Sequence, residues 1–228
     1  EAPQEWRVDL FALIEATPAL TWLLLTNRVE NWEKFLPDRW APWSGKVFQI
    51  DPSLPRNIWF GFSAEDQERF DARIPGAQAF ARYWNPEVLF ASVEPMLGPI
   101  DFEGSLESEQ LGDEYASYFT RPLDWVIFGG ESGRNPRPCS LDWLSAGVKQ
   151  CRASNVAVFV KQLGAVAVCG NANVFDWPDD ARLEARGDGF AGSRARTRDA
   201  KGGDPREWPE ELRVREFPEF VSRGGLSD

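Results

Sequence analysis

The stretch Asp124-Trp-Val-Ile-Phe-Gly-Gly-Glu-Ser-Gly-Arg-Asn-Pro-Arg-Pro138 sets an apolar run, Trp125 to Phe128, directly against Gly129, Gly130, Glu131, Ser132 and Gly133. A short continuous run of Trp, Val, Ile and Phe that stops at glycines reads as a strand buried on both faces, as in a parallel sheet. The same design recurs. Residues 21–25, 57–62, 88–93, 125–128 and 156–160 are all apolar runs of this kind, each followed by turn or polar residues. Helical patterns lie between them: 9–16, 30–39, a start at Ser63 with Asp66 three residues on, and 141–153 with Ser140 as cap and Leu144, Val148 and Cys151 on one stripe.

Strand starts spaced roughly 30 to 37 residues apart suit βαβ units with right-handed crossovers. The expected fold class is therefore α/β: a parallel β/α barrel-like body, partial or open. That domain spans residues 1–169, and an irregular extension over 170–228 packs on it through Trp177, Trp208 and Phe217. The acidic segment 103–121 reads as an insertion over one face.

In such a fold the C-terminal strand ends share one face, and that face carries the ligand. Aligning the ends gathers Arg28, Ser63, Glu65, Glu94, Gly129, Gly130, Glu131, Lys161 and Gln162. Glu94, Glu131 and Lys161 are the candidate catalytic groups; Arg28, Ser63, Gly129, Gly130 and Gln162 are the candidate ligand contacts. A buried carboxylate needs a partner, which Lys161 or Arg28 can supply. Arg28 suits a carboxylate or phosphate clamp. The glycines bring backbone close to whatever occupies the site.

Composition narrows the chemistry. The 228 residues include no histidine, which removes Ser-His and Cys-His catalysis, histidine-ligated zinc and an imidazole base. Three cysteines, Cys139, Cys151 and Cys169, follow no metal or disulfide spacing, and their odd number fits a reducing cytoplasm. A net charge of −11 argues against duplex DNA as partner. The charge is uneven: residues 1–181 hold 15 Lys+Arg against 26 Asp+Glu, whereas residues 182–228 hold ten of each. Arg194, Arg196, Arg198 and Lys201 in the second part form either a solvated loop or a phosphate contact. No run reaches the ~18 apolar residues of a membrane span, and no basic secretory leader opens the chain at Glu1.

The blocks LLTNR, NIWFGFSAEDQERFDARIP, LFASVEPMLGPID, LDWVIFGGESGRNPRP and VFVKQLG, with the closing KGGDP and EWPEELRVREFP, together resemble an uncharacterised phage and prophage family, a domain of unknown function. That family is similar to radical S-adenosylmethionine enzymes. The resemblance implies a β/α barrel, a four-iron, four-sulfur cluster held by three cysteines on one loop with S-adenosylmethionine on the open iron, and hydrogen abstraction from an unknown substrate. Residues 1–228 contain no such loop, so the chain alone is expected to be inactive in that chemistry. Two other readings stand beside it. One is a binding protein for a small, nucleotide-like ligand; the other is a hydrolase or lyase with Glu94 and Glu131 as acid and base. Five strands fall short of the eight of a closed barrel. The native protein is therefore expected to be longer, or another chain, a second copy or a different partner, covers the sheet edge beside residues 21–25.

Overall fold

A computed structural model describes residues 3–41, 54–102, 104–107, 110–111, 118–119, 121–185 and 191–219. In chain order the elements are α1 (Gln4–Ala16), β1 (Trp22–Thr26), α2 (Trp32–Phe35), β2 (Ile58–Ser63), α3 (Gln67–Trp84), β3 (Val88–Val93), β4 (Gln110–Leu111), β5 (Tyr118–Phe119), β6 (Trp125–Gly129), β7 (Cys139–Ser140), α4 (Leu141–Ala153), β8 (Ala157–Gln162), β9 (Ala167–Cys169), β10 (Arg182–Ala185) and β11 (Ser193–Arg196). Each expected apolar run is a strand, displaced by at most two residues at either end. The five form one sheet in the order β1-β2-β3-β6-β8, all parallel. The molecule is thus α/β with an open sheet, and no sheet closes into a barrel.

Period-two alternation sends side chains to opposite faces of each strand. Phe60, Phe62, Leu89 and Phe128 join the main core with Phe70, Phe80 and Leu144 of α3 and α4. Trp59, Val88, Phe90, Trp125 and Ile127 form a second apolar cluster among themselves. Burial on both faces explains why these strands read as continuous runs rather than alternating ones. Each fully buried aromatic contributes on the order of 1.5–3 kcal/mol of transfer free energy.

Three local expectations change. The helix after β2 starts at Gln67, and its cap is Asp66, whose carboxylate accepts from the Arg69 N–H at 3.0 Å; Ser63 instead ends β2. Ser140 does precede α4, but its hydroxyl bonds Asp142 at 3.3 Å rather than the helix backbone. The pattern over 30–39 breaks into the single turn of α2 and two 3-10 turns. Pro37 supplies no N–H and disfavours helix in the residue before it.

Beyond residue 170 the chain is more regular than its composition suggests. β10 and β11 pair antiparallel, and β11 pairs with β9, which lies beside β7. The resulting four-stranded sheet takes strands from both sides of residue 169. Its Arg-Leu-Glu-Ala strand is exposed throughout and its Ser-Arg-Ala-Arg strand buries only Ala195, so these short polar strands carry no hydrophobic signal. Of the 103–121 segment, most lies outside the described residues; β4 and β5 pair antiparallel within it.

Trp208 is fully buried, Trp177 partly so, and Phe217 lies 5.3 Å from Trp125 and 5.5 Å from Phe159, although 60% exposed. Residues 214–216 run antiparallel along the free edge of β8. The Val160 N–H donates to the Val214 carbonyl and the Glu216 N–H to the Val158 carbonyl, both at 2.9 Å. That edge of the sheet is closed by the chain itself.

Candidate functional site

The parallel sheet delivers β1, β2, β3, β6 and β8 with their C-terminal ends together, and the polar residues stand there. Glu94 follows β3 across a cis bond to Pro95. Its carboxylate accepts from the Ser92 hydroxyl at 3.1 Å and takes the Lys161 ammonium at 3.1 Å. β3 and β8 are not neighbours, because β6 runs between them. The pair meets over Gly129, the last residue of β6. A Cβ at that position would come within 2.5 Å of Glu94 Oε1.

Gly130 is constrained differently. Its Cβ would meet the Leu163 carbonyl oxygen at 2.2 Å, and its backbone is clamped to Gln162. The Gly130 N–H donates to the Gln162 carbonyl at 3.0 Å, while the Gln162 amide donates to the Gly130 carbonyl at 2.8 Å. Both glycines therefore make room for this chain's own atoms, and the Gln162 amide is engaged with backbone.

Glu131 has a partner that the sequence did not single out. Arg137 holds it in a fork, Nε at 2.7 Å and Nη2 at 2.8 Å, and the Arg137 N–H adds a third bond at 2.8 Å. These bonds favour the ionised form and push the Glu131 carboxyl down to about 2. A carboxylate so held is a poor proton donor near neutral pH. Glu65 is paired with Arg73 at 3.1 Å, and the Ser63 carbonyl accepts from the same guanidinium at 2.6 Å.

Arg28 lies in the turn after β1, where its N–H donates to the Thr26 hydroxyl at 3.0 Å. Its guanidinium is exposed and has no hydrogen bond or ion pair with the described residues; the same holds for Arg134 after β6. Lys161 is intermediate: tied to Glu94, yet with a side chain 58% exposed against 19% for Glu94. Arg215 braces the end of β8, donating to the Val160 and Lys161 carbonyls at 3.4 and 3.2 Å while lying over the rings of Phe159 and Trp208. Neither Arg137 nor Arg215 carries a local motif, so only proximity in space reveals them.

In the second basic patch the three arginines have internal partners, whereas Lys201 is held, among the described residues, only through its backbone N–H, which donates to Asp199 at 2.9 Å. Arg194 donates to the Ala165 carbonyl, Arg196 pairs with Glu184, and Arg198 pairs with Asp180. Cys139, Cys151 and Cys169 are free and buried on separate elements. Desolvation pushes the Cys139 and Cys151 thiols up to about 12. Cluster ligands must be thiolates that can reach the metal, so three buried thiols on separate elements do not fit a four-iron cluster. Among the described residues no group of three or more His, Cys, Asp or Glu could hold a metal, and no helix is long and apolar enough to cross a membrane.

Residues 1–209 match the family described as protein of unknown function (DUF5131), and the chain belongs to that family. Comparison with curated proteins and with solved structures returned no match.

Proposed function

We propose that the strand-end face binds a small anionic ligand of the nucleotide type, with the Lys161 ammonium as its main contact. Two cations of the same face that are unpaired among the described residues, Arg134 after β6 and Arg28 after the far strand β1, add positive charge. The observation that carries this reading is the state of Lys161. Glu94 engages the ammonium from below, and more than half of the side chain stays open. An ammonium has three donors; one serves Glu94 and the others are available to phosphate oxygens. Glu94 acts as a positioning residue, since its own carboxylate is satisfied by Ser92 and Lys161.

Charge supports the placement. The chain carries −11, but the nearby acids Glu65, Asp66, Glu94 and Glu131 each have a cationic partner, and Arg28 and Arg134 are additional. Screening over about 8 Å at physiological salt confines the effect of distant charges of either sign, so the Lys161 ammonium decides what its own end of this face attracts. Parallel strands that follow chain order correspond to an arc of a β/α barrel, whose ligands lie at this end. That analogy supports the location only; the ligand class rests on the cations.

Radical chemistry would need the cluster that the three cysteines do not fit, so no step is routed through it. Arg137 keeps Glu131 ionised, so in two-carboxylate acid/base chemistry Glu131 is unsuited to the acid's role. The test is thermal shift and calorimetry with ATP, ADP, inorganic phosphate and adenosine. Phosphate-bearing compounds should raise Tm and adenosine should not. The Lys161→Ala variant should bind at least about tenfold more weakly, the equivalent of ~1.4 kcal/mol. No binding by any phosphate compound, or unchanged affinity in Lys161→Ala, overturns the proposal.

A further inference from the structure

The two edges of the parallel sheet are finished differently. Residues 214–216 cover β8, whereas nothing among the described residues pairs with the outward edge of β1. Soluble proteins protect such an edge with charges, prolines or bulges. β1, Trp-Leu-Leu-Leu-Thr, has none of these, and its register with β2 is unbroken. Its surroundings are apolar as well. Ten large hydrophobic residues are exposed among the described ones, and six of them, Trp6, Val8, Leu13, Leu20, Leu23 and Leu25, fall between residues 6 and 25. Asn57 ties the end of α1 to the start of this strand by donating to the Ile14, Thr17 and Leu20 carbonyls. These bonds set the C-terminal end of α1 beside the start of β1.

We propose that β1 pairs with β1 of a second copy of this chain, antiparallel about a two-fold axis. Charge selects the occupant. Most faces of a chain at −11 repel an identical copy, but residues 16–27 contain no ionisable side chain. The strand is also self-complementary, as a two-fold interface requires. Centring the axis on Leu24 sets Leu23 opposite Leu25 of the partner subunit, and Trp22 opposite Thr26 of the partner subunit. Leu23 and Leu25, 44% and 51% exposed, would then pack against each other across the interface. Backbone pairing uses the free N–H and C=O groups of both edges, and the exposed Leu20, two residues before the strand, adds apolar area. This pairing leaves the strand-end face open and does not depend on the ligand proposed for it.

The test is sedimentation and light scattering of the full chain, with two variants. The wild type should run at twice the monomer mass. Leu25→Lys places a charge at an exposed position and should give a folded monomer, with its circular dichroism unchanged. Leu24→Cys places one thiol on the axis, and mild oxidation should link two copies through it; the three native thiols are buried and stay out of the exchange. A wild-type monomer at the highest soluble concentration means the edge serves a different partner, another chain or a further segment of this protein, and overturns the proposal. A dimer that survives Leu25→Lys, or a Leu24→Cys chain that does not cross-link, overturns it equally.

Discussion

Glu94 and Glu131 leave the ends of adjacent parallel strands, each paired with a cation, yet the two pairs have opposite characters. The Glu131–Arg137 fork closes on itself: three bonds from one residue saturate the carboxylate within a single loop. The Glu94–Lys161 pair spans three strands, crosses over a glycine and leaves most of the lysine exposed. A planar guanidinium matches a carboxylate's geometry and uses up its donors, whereas an ammonium is a point charge with donors to spare. The difference separates a loop clasp from a contact available to a ligand.

The comparison can be broken most severely at Gly129. Gly129→Ala puts a methyl 2.5 Å from Glu94 Oε1 and should separate Glu94 from Lys161. Urea unfolding should show a loss of about 1–3 kcal/mol, the usual cost of overpacking, together with loss of ligand binding. Gly130→Ala meets backbone instead, so it should destabilise at least as much while acting through Leu163 rather than Glu94. If Gly129→Ala keeps full stability and binding, the glycine is an ordinary turn residue.

Glu94→Gln should be milder. It keeps the shape but removes the charge that fixes Lys161, and binding should weaken by about three- to tenfold while stability changes by less than about 1 kcal/mol. Equal binding by Glu94→Gln and wild type would mean the lysine orients itself.

The smallest effect belongs to Glu131, and it is a pH signature. Its carboxyl is depressed in the folded protein from 4.5 to about 2, so its contribution is present above 4.5 and is lost as pH falls towards 2. Glu131→Gln should therefore be less stable than wild type at pH 6, with the gap closing between about pH 4.5 and 2. A gap that stays constant through acid would show that the Arg137 bonds do not depend on the charge. Ligand affinity at pH 7 should hardly change in this variant, in contrast to Glu94→Gln.

Much of this was legible in the residues. The five apolar runs, their parallel arrangement and the gathering of Glu94, Glu131, Lys161 and Arg28 at one end all follow from burial and alternation. Less was readable where polar residues carry the structure. β10 and β11 are held by backbone ladders and the Arg196–Glu184 pair, so no periodicity announces them. The role of Gly129 was misread for a related reason. Glycine signals close approach, but not what approaches, and here it is the chain's own carboxylate.

The sequence by itself determined the α/β class, the positions of the five strands, the face that bears the polar residues and the exclusion of histidine chemistry. Those follow from local hydrophobic pattern and composition, which need no knowledge of distant contacts. Only the tertiary structure decided that Lys161 belongs to Glu94 and Arg137 to Glu131, that residues 214–216 close one sheet edge, and that the outward edge of β1 is left unpaired among the described residues. Among 25 cations and 36 acids many pairings have similar Coulomb energy along the chain. Which of them forms is set by reach and geometry once the sheet has placed the backbone.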